Sequence, residues 1–192
     1  MIRAGLLCVL VAVCACVTSV PQARFDIQAV GADSLWIPAV RNSTDADLRL
    51  PGTNPLRSLA EMAGTISLAE RVTVMTVLRE SLRRELEQRT VRVRFPEEHD
   101  ARFSVLPLGH EAAARVAREG GLEGALLLSE IRRWDADGPG LVRLWVEFKL
   151  VRIADAGLLW ERRVQKVFPA GRSGNPAEIH SDAVREIAKE LF

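Results

Sequence analysis

The chain has 192 residues, 48% of them apolar and 27% charged, which is the composition of a globular protein with one domain and an appendage. The formal net charge is +1, so the basic excess that is typical of nucleic-acid-binding proteins is missing. Tyrosine is absent and aromatic residues make up 5%, which argues against a surface that stacks on bases. We therefore expect no nucleic-acid partner.

The N-terminal segment is positively charged at its start and apolar in its middle. Arg3 is the only charged residue before Arg24, and residues 4–13 form a short apolar run. A helix that spans a membrane needs about 20 apolar residues, whereas a positive start, a short apolar middle and small residues after it are typical of a secretory signal peptide. The sequence predicts a signal peptide over residues 1–15, with a buried core helix as the alternative.

The motif "VCAC" ends this segment, with Val13 three residues before Cys16 and the small Ala15 directly before it. This motif resembles the bacterial lipobox, which directs lipidation and cleavage at its cysteine. The resemblance implies that Cys16 becomes the first mature residue and carries diacylglycerol and an amide-linked acyl chain. Two or more acyl chains hold a protein firmly on a membrane. We therefore expect a lipid anchor at Cys16, a tether over residues 16–33 and a single domain over residues 34–192.

The cysteine pattern also bears on cofactors and on location. Cys14 and Cys16 are separated by one residue, unlike the C-x-x-C of a redox pair, and no cysteine follows Cys16. We expect neither a metal nor a cofactor. Val17 follows the modified cysteine, where Asp would retain a lipoprotein at the inner membrane in the enteric sorting rule. This favours the outer membrane, with the domain facing the periplasm.

The first half of the domain alternates strands and helices. "SLWIPAVRNST" (34–44) predicts a strand, and a long polar connection follows over residues 45–65. "SLAERVTVMTVLRESLRRELEQR" (67–89) predicts a helix, because its apolar residues recur at steps of three and four and Ser67 and Glu70 fit a capping box. "VRVRF" (91–95) predicts a half-exposed strand, and the stretch 97–109 fits either a loop or an interrupted strand.

The second half predicts a helix, three strands and a last helix. "HEAAARVAREGG" is the helix; "GALLLSEIRRW", "LVRLWVEFKLVRI" and "LLWERRVQKVF" are strands joined by short turns; "SDAVREIAKELF" closes the chain with Ser181 or Asp182 as its N-cap. Short turns make the last three strands antiparallel, while strands joined by helices can be parallel. The sequence predicts an α+β fold with one mixed sheet of about five strands and helices packed on it.

"GLEGALLLSEIRRWD" followed by "VEFKLVRIADAGLLWERR" resembles a pattern of bacterial periplasmic lipoproteins, and "IPAVRNST" is similar to their opening strand. The group includes curli-secretion lipoproteins, the lipoprotein activator of penicillin-binding protein and the amino-terminal part of the Tol-system periplasmic protein. In this pattern Gly157 serves the hairpin and Trp160 serves packing. The turn "ADAG" is shorter here than in that group, and residues 51–67 are peculiar to this chain.

Candidate site residues are few. His99, His110 and His180 lack metal-ligand spacing, and no nucleophile or phosphate-binding motif occurs. Glu130 and Asp135 form a loose carboxylate pair, but cross-strand pairing of Glu130 with Arg143 or Arg152 explains it without chemistry. Three tryptophans on neighbouring strands fit either an exposed patch for a partner or ordinary core packing: Trp134, Trp145 and Trp160.

These observations favour a lipid-anchored periplasmic protein that is not an enzyme and binds envelope proteins in secretion or in cell-wall or outer-membrane assembly. Homo-oligomerisation stays open. One alternative is a subunit of a ring-forming secretion channel. Another is an envelope hydrolase, which a pocket converging on Glu130, His110 or His180 would favour.

Overall fold

A computed structural model describes residues 25, 34–46, 48, 73–89, 91–105, 109–138, 141–169 and 176–192. The predictions for the signal peptide, Cys16, the tether apart from Phe25, most of the 45–65 connection and the capping box at Ser67 and Glu70 lie outside the described residues.

Six strands of the described chain form one sheet. They are β1 (Leu35–Trp36), β2 (Arg41–Asn42), β3 (Val93–Arg94), β4 (Ala125–Gly138), β5 (Leu141–Arg152) and β6 (Leu158–Pro169). The helices are α1 (Val74–Glu87), α2 (Asp100–Val105), α3 (His110–Glu119) and α4 (Pro176–Leu191), with a 3₁₀ turn at Glu97–His99. No helix of the described residues is long and apolar enough to cross a bilayer.

The strand order is β3-β1-β4-β5-β6, and β2 pairs with β4 beyond the end of β1. β1 is parallel to β3 and β4, whereas β4, β5 and β6 are antiparallel neighbours. This confirms the predicted α+β fold with one mixed sheet. Long connections give the parallel pairs and short turns give the antiparallel ones, as the sequence led us to expect.

The predicted strand at 34–44 is divided into β1 and β2. Pro38 lies between them, and proline has no N–H to donate to a strand ladder. The N–H of Ala39 instead donates to Asp100 Oδ1 at 2.8 Å, at the start of α2. The break gives the chain a short irregular stretch beside the middle of β4, and this stretch becomes one wall of a pocket.

One face of the sheet is covered by α1 and α4. Val74, Leu78, Leu82 and Leu86 lie on successive turns of α1 and are fully buried against it. From β5, every second residue enters this core: Val142, Leu144, Val146, Phe148 and Leu150. This alternation confirms the predicted inward face of the strand.

The opposite face is only partly covered. α2 and α3 pack on one end of it, where Phe103, Ala113 and Ala117 meet Leu126 and Val151. Among the described residues no element packs over the rest of this face, along β4, β5 and β6. We call this uncovered part the open face.

Two helix starts differ from the prediction. Thr73 is extended (φ −114°, ψ 161°) and its side chain accepts a hydrogen bond from the N–H of Thr76 at 3.1 Å, so α1 begins at Val74. A threonine that caps in this way ends the helix on its N-terminal side. α4 begins at Pro176 rather than at Ser181 or Asp182, because proline fits the first turn of a helix.

Candidate binding site

A shallow pocket, partly open to solvent, lies where the open face meets α2. The break between β1 and β2 forms one wall, Phe103 of α2 forms another, and β4 and β5 form the floor. Its lining residues are Pro38, Ala39, Arg41, Phe103, Leu128, Ser129, Glu130, Glu147 and Lys149. The pocket thus combines an apolar wall with two carboxylates and two cations.

The two carboxylates come from facing strands. Glu130 of β4 and Glu147 of β5 are direct cross-strand partners in the antiparallel register. Side chains of such a pair lie on the same face of the sheet with their Cβ atoms about 5 Å apart. Because like charges in this arrangement repel, the site needs compensating cations to be stable.

Within the described part of the chain, three groups bind Glu130. Arg132 Nη2 lies 3.0 Å from one carboxylate oxygen, and Arg41 Nε lies 3.5 Å from the other. The hydroxyl of Ser43 donates a hydrogen bond to the second oxygen. β2 supplies Arg41, and Ser43 follows directly after it, since β2 runs parallel to β4 with Arg41 beside Glu130.

Glu147 is held by two guanidinium groups. Arg132 Nε and Arg163 Nε each donate to its carboxylate at 2.9 Å, one to each oxygen. Glu147 is only 8% exposed. Burial raises its pKa, but the hydrogen bonds from Arg132 and Arg163 outweigh burial and lower the pKa below its ordinary value.

The lowered pKa decides what this carboxylate can do. A general acid needs a raised pKa so that it holds a proton at neutral pH, whereas Glu147 stays ionised. A fixed array of paired charges beside an apolar pocket instead suits recognition of a polar partner. No group of three or more His, Cys, Asp or Glu suited to a metal occurs in the described part of the chain.

Trp145 lies next to this cluster on the open face. Its cross-strand neighbours are Arg133 on β4 and Gln165 on β6. The guanidinium of Arg163 stacks over the indole at 4.9 Å from the ring centroid. The indole Nε1 is buried and, among the described residues, has no hydrogen-bond partner. A buried donor without a partner costs free energy.

The other two tryptophans are in the core. Trp134 is 9% exposed and Trp160 is 8% exposed, and both lie on the face covered by α1 and α4. The hypothesis of one exposed patch made of Trp134, Trp145 and Trp160 is therefore wrong for Trp134 and Trp160. The strand alternation points Trp145 to the open face and the other two inward.

The expected partners of Glu130 were also wrong. Arg152 binds Asp155 at 2.9 Å within its own turn, and the register aligns Arg143 with Asp135 rather than with Glu130. Two features decide the outcome. β2 brings in Arg41, and a β-bulge between Ile131 and Arg133 adds Arg132 as an extra residue.

Neither His99 nor His110 is among the residues that line the pocket. The ring of His99 lies against Gly120, where an added Cβ would come within 2.7 Å of Nε2. His110 is the first residue of α3 and is not among the lining residues. The side chain of His180 lies outside the described residues. Of the two residues named for a hydrolase whose side chains the structure describes, Glu130 lines the pocket and His110 does not.

Sequence reasoning missed Glu147, Arg132, Arg163 and Phe103. One signal was present: the alternation in "LVRLWVEFKLVRI" puts Trp145, Glu147 and Lys149 on one face. The sequence shows no comparable pattern for the bulge that places Arg132 or for the helix α2 that contains Phe103.

No family model and no curated protein matches the chain. The solved structures similar to it include a PelC dodecamer from Paraburkholderia phytofirmans, at 13% identity and TM-score 0.47 over 83% of this chain and 88% of that one. A lipoprotein from Neisseria meningitidis has 10% identity and a TM-score of 0.42 over 82% of this chain and 96% of that one. The C-terminal domain of LpoB from Salmonella enterica has 14% identity and a TM-score of 0.32 over 71% of this chain and 83% of that one. A bacterial lipoprotein is thus among the similar structures. Likenesses at these identities and scores transfer no function.

Proposed function

We propose that this chain is a lipid-anchored protein of the bacterial envelope that acts by binding another envelope protein, and that it is not an enzyme. The binding surface is the open face, from the pocket at Glu130 and Glu147 to Trp145. The task lies in envelope assembly or secretion, in line with the sequence resemblance to curli-secretion proteins, penicillin-binding-protein activators and the Tol periplasmic protein.

One observation carries the binding role: the ion-paired carboxylates beside an apolar pocket. The arginine Arg132 bridges Glu130 and Glu147, so the charges are held in fixed places before a partner arrives. Preorganised charges of both signs favour specificity for a complementary surface. Trp145 and Arg163 beside them are residue types that often dominate binding energy in interfaces.

Photocrosslinking tests this surface. A benzoyl-phenylalanine placed at Trp145 in living cells should give a discrete crosslinked species, which mass spectrometry then identifies. The same group at Glu111, an exposed position of α3, serves as the control. Equal crosslinking at both positions, or none at Trp145, contradicts the assignment of the open face.

The lipid anchor is supported by the "VCAC" motif after a short apolar leader. Cells grown with radiolabelled palmitate should incorporate label into the wild type and none into Cys16→Ala. An unlabelled wild type, or a labelled variant, contradicts the anchor. We infer from Val17 that the anchor lies in the outer membrane, which separation of the two membranes by density tests.

A second candidate role is assembly of copies into a ring. Within the described chain β6 pairs with β5 alone, so the other edge of this 12-residue strand is open to further pairing. Leu158 and Val167 on it are 42% and 54% exposed. A particle of several subunits in detergent extracts, lost on Val167→Lys, supports this role, whereas a monomer contradicts it.

A further inference from the structure

Phe25 lies between the proposed anchor and the domain, and it is docked on the domain. Its ring contacts Trp160 at 5.1 Å and Phe192 at 4.9 Å between centroids, with the planes nearly perpendicular in both pairs. Such edge-to-face pairs are favourable beyond the area they bury. Phe25 also packs against the main hydrophobic core, so it fixes one point of the N-terminal segment on the folded body.

Because Phe25 is docked in this way, we propose that the domain rests on the lipid bilayer with the side that carries Phe25, Phe192 and Arg89. The open face then points away from the membrane. This inference depends on the proposed anchor at Cys16. It adds which side of the domain meets lipid, which the anchor alone leaves undetermined.

The length of the connection supports the orientation. Phe25 is nine residues after Cys16, and a fully extended chain of that length reaches roughly 30 Å at most. A domain of this size is about 40 Å across. The far side of the body therefore cannot reach the membrane while Phe25 stays docked. Without docking, the 18 residues to Ser34 would reach roughly 60 Å and permit any orientation.

The seat, which is the surface formed by Phe25 and Phe192, has a cation beside it. Phe25 and Phe192 are half-buried, and the guanidinium of the exposed Arg89 lies 5.6 Å from the centroid of the Phe192 ring. Aromatic rings beside a cation are favourable at the boundary between headgroups and acyl chains, and each cation near an anionic lipid surface adds attraction.

The residue that Phe25 packs on and the pocket belong to different faces of the sheet. Trp160 belongs to the core under α1 and α4, whereas Glu147 belongs to the open face. A body that rests on lipid through the Phe25 side therefore presents the pocket to the periplasm. This arrangement leaves the proposed binding surface accessible to a partner that is not itself in the bilayer.

Fluorescence energy transfer tests the orientation. The lipidated full-length protein is placed in vesicles of phosphatidylethanolamine and phosphatidylglycerol that contain a headgroup-labelled acceptor lipid. No cysteine follows Cys16, so Lys189→Cys near the end of α4 and Arg133→Cys on the open face each accept one donor dye. We expect transfer from position 189 to exceed transfer from position 133 severalfold, and equal transfer overturns the proposal.

Three variants make the test specific. Phe25→Ala should make energy transfer from positions 189 and 133 equal, while the protein stays bound to the vesicles. Inserting about twenty Gly/Ser residues before Phe25 should do the same, because the reach then exceeds the width of the domain. The same insertion between Phe25 and Ser34 should leave energy transfer from position 189 larger than that from position 133. A difference that survives Phe25→Ala, or that is lost with the second insertion, overturns the proposal.

The anchor and the orientation fail in distinguishable ways. If the wild type does not bind vesicles, or Cys16→Ala binds equally well, the proposed anchor is wrong and the orientation falls with it. If the wild type binds and Cys16→Ala does not, but both dye positions report equal transfer, the orientation alone is wrong.

Discussion

Glu130 and Glu147 lie directly opposite each other on the open face of β4 and β5, and Arg132 binds both of them. Its Nη2 atom is 3.0 Å from Glu130 and its Nε atom is 2.9 Å from Glu147. Two facing carboxylates destabilise a sheet, so this arginine turns a repulsive pair into a bridged one. The bulge between Ile131 and Arg133 makes the bridge possible because it inserts one extra residue at this point.

Removing the bridge should therefore destabilise the fold more than removing a neighbouring ion pair. We expect Arg132→Met to lower the free energy of unfolding by about 1–3 kcal/mol, because Glu147 is buried and loses one of its two cations. Arg133→Met is the matched control, since among the described residues Arg133 pairs with Asp135, the side chains are 49% and 45% exposed, and such surface pairs contribute about 0–1 kcal/mol. Urea unfolding measures both, and equal losses contradict the bridging role.

The pKa of Glu147 predicts a pH dependence of stability. The folded protein lowers this pKa below its ordinary value of about 4.5. A lowered folded pKa means that the stabilisation is complete above the ordinary value and is lost as the pH falls through the folded value. We expect the urea midpoint of the wild type to fall as the pH drops below about 4.5, and that of Glu147→Gln to fall less. Glu161→Gln removes an exposed carboxylate from the same face and controls for net charge. If it weakens the pH dependence of the urea midpoint as much as Glu147→Gln does, the dependence does not come from Glu147.

Arg79 of α1 joins the start of α2 to the break between β1 and β2, the two elements that form walls of the pocket. It donates from both terminal nitrogens to Asp100, at 2.6 and 3.1 Å, and from Nε to the Ile37 carbonyl at 3.0 Å. Lysine cannot reproduce this fork. We expect Arg79→Lys to lower the free energy of unfolding by about 1–3 kcal/mol.

Arg83, one turn later on α1, is the control for that change. It pairs with Glu80 and Glu87 on the surface of the same helix, so Arg83→Lys should cost about 0.5 kcal/mol or less. Comparable losses in the two variants would show that the contacts of Arg79 with Asp100 and Ile37 add little.

The sequence predicts the antiparallel half of the sheet well and the site poorly, for a physical reason. Alternation in 141–153 and the turns at each end determine which side chains of β5 point inward, because a strand has a period of two. The neighbours of a side chain on the open face depend on register, and one extra residue at Arg132 changes them. Sequence periodicity does not record such a bulge.

The parallel half of the sheet shows the same limit. Pro38 was visible in the sequence, but the group that accepts the Ala39 N–H in the break between β1 and β2 is Asp100, 61 positions away. The location of Arg41 beside Glu130 follows from that break. Long-range contacts of this kind can be seen only in the folded chain.

Gly124 should be the glycine on which the junction of β1 and β4 depends. Its φ is +94°, a region that other residues rarely adopt, and an added Cβ would lie 2.3 Å from the Ser34 carbonyl oxygen. That oxygen accepts the Ala125 N–H at 3.2 Å, which starts the parallel pairing of β1 with β4. Because an alanine would strain the backbone angle and force Ser34 to move away, we expect Gly124→Ala to lower the free energy of unfolding by at least about 2 kcal/mol. Gly109→Ala is the matched control, since an added Cβ there meets nothing within 4 Å. Urea unfolding of both variants measures the difference, and a Gly124→Ala protein as stable as Gly109→Ala would show that the approach of Ser34 to Gly124 is not needed for the junction.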